Sequence, residues 1–469
     1  MLTVCAALFV SVLNGTMLNV SLPVIGEDLG VEPARLGWIV TGYLLVFGVS
    51  VPFYGRLADV FGARRLFVLG LCVYSVSSLF CALSFSYPML LGARLLQGLG
   101  AAAIPGLGMA IISGVYPPDR RGAALGYVSA TVGTSAAIGP LVGGTVSSLL
   151  NWHFMFLLSS LAGLLVPFAA RLLPEGDRRP GERIDLLGGV LLGLSVSGAL
   201  LAATEGSRGG VMSPVVIGAV ATSILAMISL VVRQRTAQSP FLPRELLRNR
   251  GFLALQGTSF CVMASNVATF VSLPLMLRND YRLSLLVVGL VLLPNSIVVA
   301  LLGPVVGRTA DRTGGRLLVR TGLLLILIAQ LLLSAFGVGS SVWVVMAMAA
   351  LQGTGFALLN SPLATMVSLA VSKEHQASGL SLNNMAFFLG GGFGTALLTA
   401  LLTVREGART GLNPLYAGRE VAFSDAFLLF SLPLLIALAL SLALPDEEHA
   451  APEAEPPTAP QPARAAAQR

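Results

Sequence analysis

Apolar runs close to 20 residues long recur along the whole 469-residue chain, broken by short clusters of charge, glycine and proline. A helix needs about 20 such residues to cross the ~30 Å hydrocarbon core of a bilayer. Inside that core every backbone N–H and C=O has to be satisfied internally, so only helices and closed barrels span it. These runs are twice the length of a barrel strand and carry no alternation of period two, which leaves helices. Composition agrees: 55% of the residues are apolar and 11% charged, against about 25% charged in soluble proteins. A soluble fold of this make-up lacks the polar groups to cover its own surface. That excludes a cytosolic enzyme, a disordered chain and a disulfide scaffold.

Fourteen runs qualify, near 2–25, 35–55, 66–85, 89–113, 122–149, 153–173, 185–204, 213–232, 252–277, 285–306, 317–336, 342–369, 377–402 and 426–445. The first has no basic stretch and no A-x-A cleavage signature, so it reads as a retained helix rather than a signal peptide. Residues 446–469, rich in Pro, Ala and Glu, predict a disordered tail. With both termini cytoplasmic, the inner loops and tail hold 21 basic residues and the outer loops 7, with Arg94 inside a span. Cytoplasmic loops gather Lys and Arg, so the net charge of +7 reports topology and no nucleic-acid partner is expected. One lysine, Lys373, among 29 basic residues, with abundant Ala, Leu, Gly and Val, points to GC-rich coding and a bacterial cytoplasmic (inner) membrane. The four cysteines lie in apolar runs without C-x-x-C or a His/Cys cluster, so neither a metal nor a cofactor is expected.

The chain repeats itself. Residues 55–65 read GRLADVFGARR and residues 307–316 read GRTADRTGGR, placing Asp59 and Asp311 252 positions apart. Gln97-Gly98-Leu99-Gly100 returns as Gln352-Gly353-Thr354-Gly355 at offset 255, Asn14 as Asn266 at 252, and the charged loop at Asp119 as that at Glu374 at 255. Spans 1–6 therefore correspond to spans 9–14, and spans 7–8 form an inserted hairpin. Parallel halves with a substrate site between them at the midplane are a transporter architecture. The expected units are an N-terminal six-helix bundle (1–174), the hairpin with flanking loops (175–250), a C-terminal six-helix bundle (251–445) and the tail (446–469).

Three stretches carry chemistry. In the first, Gly55 and Gly62 allow a tight turn. Asp59 can pair with Arg64 or Arg65, or take the unpaired N–H groups of a helix N-terminus; Asp311 and Arg312 repeat the pattern. In the second, Arg94 is the one ionisable residue well inside a span. A buried guanidinium costs at least about 2.5–3.5 kcal/mol, which makes it a functional candidate, with an arginine snorkelling outward to lipid headgroups as the alternative. Gln97, nearly one turn on, favours a polar cavity wall. In span five, Gly133, Gly139, Gly143 and Gly144 let a neighbouring helix approach, and Pro140 bends the helix. Asn14, Asn19, Asn266, Asn295, Asn360, Asn383 and Asn384 are amides in or near spans, which need partners or water. Phe387 and Phe388 read as packing residues or cavity wall.

The first stretch resembles the loop motif of the major facilitator superfamily. Residues 94–100 resemble its fourth-span motif, and Gly133, Gly139, Pro140, Gly143 and Gly144 resemble the fifth-span motif of its antiporters. Fourteen spans match the drug:proton antiporter branch with fourteen helices. LNGTMLNVSLP (13–23) and SGLSLNNMAFFLGGGFG (378–394) look closest to tetracycline-exporter-like members. The resemblance covers residues 1–445. It implies an all-α membrane protein of the major facilitator fold: two six-helix bundles plus an inserted two-helix hairpin. It implies a monomer in the lipid bilayer that exports small lipophilic compounds, as multidrug efflux, by alternating access in exchange for protons. The implied cavity is lined by Asn14, Asn19, Arg94, Gln97, Asn266, Asn295, Asn360, Asn384, Phe387 and Phe388, with Arg94 serving proton transfer or substrate placement. Gly55, Asp59, Gly62, Arg64, Arg65, Asp311 and Arg312 form the implied gate latch, Asp59 reaching span 13 near Ser372–Gln376. Span five is expected to pack on span ten.

The chain departs from that family where coupling is concerned. The wider branch has Asp where Asn14 stands, and the tetracycline-exporter-like members have span carboxylates where Gly15, Ala136 and Gly391 stand. A basic residue usually follows the loop Asp, here Val60, and an Arg stands where this chain has His153. Asp59 becomes the first candidate proton carrier, with Arg94 shaping the path. Neutral or weakly charged substrates and a shallow pH dependence are expected, since no buried anion remains to pair with a cation. A proton-independent facilitator, or a metabolite or lipid exporter of the same fold, is the alternative. A channel needs a filter loop or charged ring and an enzyme needs His or carboxylates clustered in the spans; the sequence has neither.

Overall fold

A computed structural model describes residues 1–444 except 32, 176–184, 210–211, 239, 280, 284, 406–407, 409, 417 and 419–420. It also leaves undescribed the side chains of 19, 20, 23, 33–35, 118, 137, 140, 148, 207–209, 279, 285–286 and 373. The tail expected over 446–469 lies outside the described residues. The chain is helical, and thirteen segments among the described residues are long and apolar enough to cross a membrane. Ahead of them runs α1 (Leu2–Leu29), 28 residues with an apolar stretch over Leu2–Leu18. The thirteen are α2 (Pro33–Phe61), α3 (Ala63–Ala82), α4 (Tyr87–Val115), α5 (Pro118–Leu149), α6 (His153–Leu172), α7 (Leu186–Gly209), α8 (Pro214–Thr236), α9 (Arg250–Asn279), α10 (Leu285–Thr313), α11 (Gly315–Gly337), α12 (Val342–Ala370), α13 (Gln376–Val404) and α14 (Val421–Ala443). A short helix, Arg244–Arg248, precedes α9, and a 3₁₀ turn, Lys373–His375, precedes α13.

Glycine sets the sharp turns. Gly62 (φ 94°) separates α2 from α3, and its repeat partner Gly314 (φ 85°) separates α10 from α11. Both sit in the left-handed region where a Cβ is disfavoured. The sequence predicts a loop from Gly55 to Arg65, but α2 continues to Phe61 and leaves the turn to Gly62 alone. Gly55 serves a different end: a Cβ there would lie 2.5 Å from the Cβ of Ser381 on α13.

The repeat maps α2 onto α10 and α5 onto α13. The packed pairs α2–α13 and α10–α5 are therefore equivalents, each joining one repeat to the other. The α10–α5 seam is the tighter, with Gly307 on Gly122 and Gly303 on Gly126 bringing backbone onto backbone. The expected contact of α5 with α10 holds for one part of the helix: Gly133 meets Val299 of α10. Gly139 and Gly143 turn instead to Thr16 and Met17 of α1, in their own repeat. Gly144 is half-buried and the side chain of Pro140 lies outside the described residues. The pair α7–α8 packs on itself, and α7 lies against both α2 and α13. Asp185 grips Arg233 through Nε (3.1 and 3.2 Å) and so ties the start of α7 to the end of α8. The outer face of α8 presents Leu225, Ile228, Val231 and Val232, an exposed apolar surface suited to lipid rather than water.

A Cβ on Gly307 would lie 2.1 Å from the Gly122 carbonyl oxygen, and one on Gly289 of the same helix meets nothing within 4 Å. Gly307→Val should therefore lower stability by about 1–3 kcal/mol, read as a fall in thermal unfolding temperature in detergent, while Gly289→Val stays near wild type. Equal shifts in the two variants would refute the close seam.

Candidate functional site

At one face of the molecule the two repeats hold each other through their loop-motif acids. Asp59, in the last turn of α2, accepts the Ser378 N–H at 3.3 Å and the Ser378 hydroxyl. Asp311, in the last turn of α10, accepts the N–H groups of Gly122 at 2.7 Å and Ala123 at 2.9 Å. Ser378 and Ala123 are 255 positions apart, so this is one contact made twice. Each acid meets the N-terminal part of a helix from the other repeat, Ser378 in the first turn of α13 and Gly122 and Ala123 in the second turn of α5. The first-turn N–H of Ser378 has no intrahelical acceptor, and at both places the positive end of the helix dipole favours an anion by about 0.3–2 kcal/mol. Asp59 is buried, with Arg56 Nη1 at 4.0 Å and His375 Nδ1 at 3.8 Å from its carboxylate.

Of the two arrangements open to Asp59 in the sequence, the structure takes the helix N-terminus. Arg64 turns away to Glu175 and to the Leu173 carbonyl (3.2 Å) beyond α6, and Arg65 and Arg312 are exposed. The meeting point on α13 is Ser378, two residues past the expected stretch Ser372–Gln376, because the helix offers its free N–H groups inside its first turn. Smaller ties flank the acids. Arg121 donates to Ser368 Oγ (3.1 Å), Ser361 to the Gly122 carbonyl (2.9 Å) and Arg308 to Tyr127 (3.1 Å). A cavity of about 280 Å³ lies beside Asp59, Arg121 and Gln376, and one of about 580 Å³ beside Asp311, Arg308 and Arg312.

Arg94 sits about two turns into α4 and is 1% exposed. Its guanidinium donates to Asn14 Oδ1 (2.9 Å), to Gln97 Oε1 and to the Ile39 carbonyl (3.4 Å). It lies 4.1 Å above the Tyr43 ring and 5.8 Å from that of Phe156. Gln97 passes the network to Ser78 (2.6 Å) and Asn14 to Ser159 (2.7 Å). The residue thus joins α1, α2, α4 and α6, with α3 reached through Gln97. Every partner of Arg94 among the described residues is neutral. The cation is held by charge-assisted hydrogen bonds of about 1.5–3 kcal/mol each and by aromatic faces, with no carboxylate. The sequence predicts a cavity wall and allows a snorkelling side chain; the structure encloses it inside one bundle. The α1 amide and the tyrosine one turn beyond Ile39 close over it.

The other amides divide. Asn295 donates to the Ala349 carbonyl (3.0 Å), Asn383 accepts from Ser259 (2.8 Å) and Asn384 donates to the Leu380 carbonyl (2.9 Å), all acting as ties within or between helices. Asn266 is buried, Asn360 half-buried, and the side chain of Asn19 lies outside the described residues. Phe387 and Phe388 belong to a chain of rings that crosses between the repeats. Phe47 of α2 meets Phe388 edge-on at 4.5 Å, Phe388 meets Phe387 at 6.3 Å, and Phe387 meets Phe356 at 6.3 Å. Tyr43 continues the chain back toward Arg94, with its ring 6.0 Å from that of Phe47.

Two groups escape a reading of the sequence. The sequence begins span 14 at 426, whereas α14 begins at Val421 and carries Asp425 inside it, fully buried. Arg405 (2.7 Å) and the Leu412 N–H (2.6 Å) hold that carboxylate, so Arg94 is not alone as an ionisable residue within a helix. The signal was an acid abutting an apolar run, which reads equally as a loop residue. His375 is the second; its sequence signal was its place between two expected latch elements.

Removing the Arg94 side chain leaves Asn14 Oδ1 and Gln97 Oε1 without their donor, at about 1–3 kcal/mol each. Arg94→Ala should lower the unfolding temperature and abolish transport, and Arg94→Lys, which lacks the planar fork, should leave little. Wild-type stability and flux in properly inserted Arg94→Ala would refute this reading.

Comparison with known proteins agrees with this architecture. The family model described as Major Facilitator Superfamily matches residues 4–395 and again 255–467. The uncharacterized transporter YebQ of Escherichia coli (strain K12) is 31% identical over 407 residues, covering 86% of this chain and 88% of that protein. The lincomycin resistance protein LmrB of Bacillus subtilis (strain 168) is 28% identical over 449 residues, covering 91% and 92%. The riboflavin transporter RibZ of Clostridioides difficile (strain 630) is 24% identical over 411 residues, covering 87% and 89%. Among solved structures, the human organic anion transporter MFSD10 (TETRAN) superposes with a TM-score of 0.66 at 18% identity over 93% of this chain and 98% of that one, a likeness of fold. Helices long enough to cross a membrane, repeats joined by duplicated acids and these relatives together place the chain in the Major Facilitator Superfamily, a family of membrane transporters.

Proposed function

We propose that the protein is a secondary active exporter of small lipophilic organic compounds, working by alternating access in exchange for protons. The observation that carries this reading is the pair of duplicated acid contacts, Asp59 on Ser378 and Asp311 on Gly122 and Ala123. Both lie at the same face and both cross between repeats. With them made, that face is shut and a substrate path opens to the other; breaking them reverses access. Equivalent contacts on both seams let the repeats rock as rigid bodies about a midplane site. The loops at this face are the arginine-rich ones, which makes it cytoplasmic. Both termini then lie in the cytoplasm of a bacterium, with α1 as a fourteenth transmembrane helix, α7–α8 as a hairpin inserted between bundles 1–174 and 251–445, and a monomer as the working unit. The lincomycin resistance and riboflavin transporter relatives support an organic substrate, and the first supports drug efflux. The partly exposed rings of Phe387 and Phe388 suit a lipophilic compound.

One observation favours a proton-independent facilitator as the second reading: the group facing Arg94 is the amide of Asn14, which does not titrate. Flux of riboflavin and lincomycin in proteoliposomes, with and without an imposed pH gradient, separates the two. Gradient-driven accumulation supports antiport; equal flux in both conditions supports the facilitator.

Asp59→Asn keeps the shape of the latch and removes its charge. Transport should fall by about tenfold at unchanged expression, and unchanged transport would count against the latch. Ser340→Cys, between α11 and α12, should react with an impermeant thiol reagent on intact cells. Reaction only after permeabilisation would invert the orientation.

A further inference from the structure

His375 is the residue immediately before α13 and is 6% exposed. Its two ring nitrogens face carboxylates from two other elements. Nδ1 lies 3.8 Å from Asp59 Oδ2 at the end of α2, and Nε2 lies 3.9 Å from Glu245 Oε2 on the short helix before α9. Among the described residues Nδ1 has no hydrogen-bond partner. The other charged groups around it are Arg56 of α2, 4.0 Å from Asp59, and, lining the adjoining cavity, Arg121 of α5 and Glu374 of its own segment. Arg64, the next cation at that face, is engaged with Glu175.

We propose that His375 is a proton-binding site of the latch, and that protonation there holds the two repeats together at this face. The inference rests on reading the Asp59–Ser378 contact as a gate. A neutral imidazole has one N–H and one lone pair, so one nitrogen presents a lone pair to a carboxylate. An imidazolium presents an N–H to each and places a positive charge between Asp59 and Glu245. Arg56, Arg121 and the positive end of α13 oppose that charge; the two carboxylates, at 3.8 and 3.9 Å, favour it. The attraction to Asp59 exists only while α2 and α13 are seated together. Protonation therefore favours the latched arrangement, and the latched fraction falls as pH rises. This supplies a titratable gate in a chain whose sequence has Asn14, Gly15, Ala136 and Gly391 at the places where relatives carry span carboxylates.

The test uses the full-length protein in lipid nanodiscs, with its cysteines Cys5, Cys72, Cys81 and Cys261 replaced. Spin labels go on Leu172 and Leu317, exposed positions on different repeats at the latched face. Interlabel distances are measured from about pH 5.5 to 8.5, the range in which histidines titrate. The ratio of separated to latched molecules should rise at least about fivefold with pH in the otherwise wild-type protein. It should stay flat in His375→Gln and stay latched throughout in His375→Arg. A pH response in His375→Gln equal to that of the parent overturns the proposal. Should His375→Gln fail to fold, His375→Arg carries the test: separation of its labels at high pH overturns the proposal. Asp59→Asn distinguishes the two levels of inference. If its labels separate at every pH while His375→Gln still titrates, only the role of His375 falls. If its labels stay together, the gate reading falls and this proposal with it.

Discussion

An acid at the end of one repeat's helix, set against the N-terminal part of a helix from the other repeat, is the interaction on which the arrangement of the two repeats depends. The N-terminal end of a helix carries the positive end of its dipole, and an aspartate one turn from a chain reversal reaches N–H groups there without unwinding its own helix. Duplication makes the contact twice, with Asp59 on Ser378 and Asp311 on Gly122 and Ala123. Two such contacts at one face fix both seams there. Each is a directional contact between a carboxylate and N–H groups, helped by the helix dipole, and Asp59 has Arg56 at 4.0 Å besides. A contact of that kind suits the opening joint of the proposed mechanism.

The repeats are not equivalent in their interiors. Arg94 of the first corresponds to Ala349 of the second at the offset that relates Gln97 to Gln352. In the first repeat the guanidinium gathers Asn14, Gln97 and the Ile39 carbonyl around itself. In the second, Asn295 donates to the Ala349 carbonyl and the Gln352 side chain has no hydrogen-bond partner among the described residues. A buried cation with neutral partners stiffens one bundle, while the other holds loosely satisfied amides. The ring chain from Tyr43 through Phe47 to Phe388, Phe387 and Phe356 links these two interiors. The asymmetry extends to the outside. Helix α7 lies across the α2–α13 seam, whereas α10 and α5 close theirs by direct backbone approach at Gly307 and Gly303.

Much of this was legible in the residues. The length of the apolar runs requires helices that cross a bilayer, because unsatisfied backbone in hydrocarbon is prohibitively costly. The 252–255 offset pairs Asp59 with Asp311 and α5 with α13 without any coordinates. The two glycine turns at Gly62 and Gly314 follow from the loop motif, although how far α2 runs before its turn does not. Periodicity says where apolar helix is affordable, and a helix end frays or extends by what its last residues touch. Here Gly55 touches α13, so α2 continues past it.

Partner choice was decided only in three dimensions. Asp59 had arginines five and six positions away in sequence, yet its carboxylate goes to Ser378, more than 300 positions on, because α13 brings free N–H groups there and Glu175 takes Arg64. Arg94 was visible as a charge in a span, but its enclosure by Asn14, Gln97 and Tyr43 depends on how four helices cross. The burial of Asp425 and the placing of His375 between Asp59 and Glu245 belong to the same class. Sequence alone determined the membrane, the helices and the duplication, since those follow from local solvation and internal repetition. The tertiary structure decided which charges meet, since that depends on distances between segments far apart in the chain.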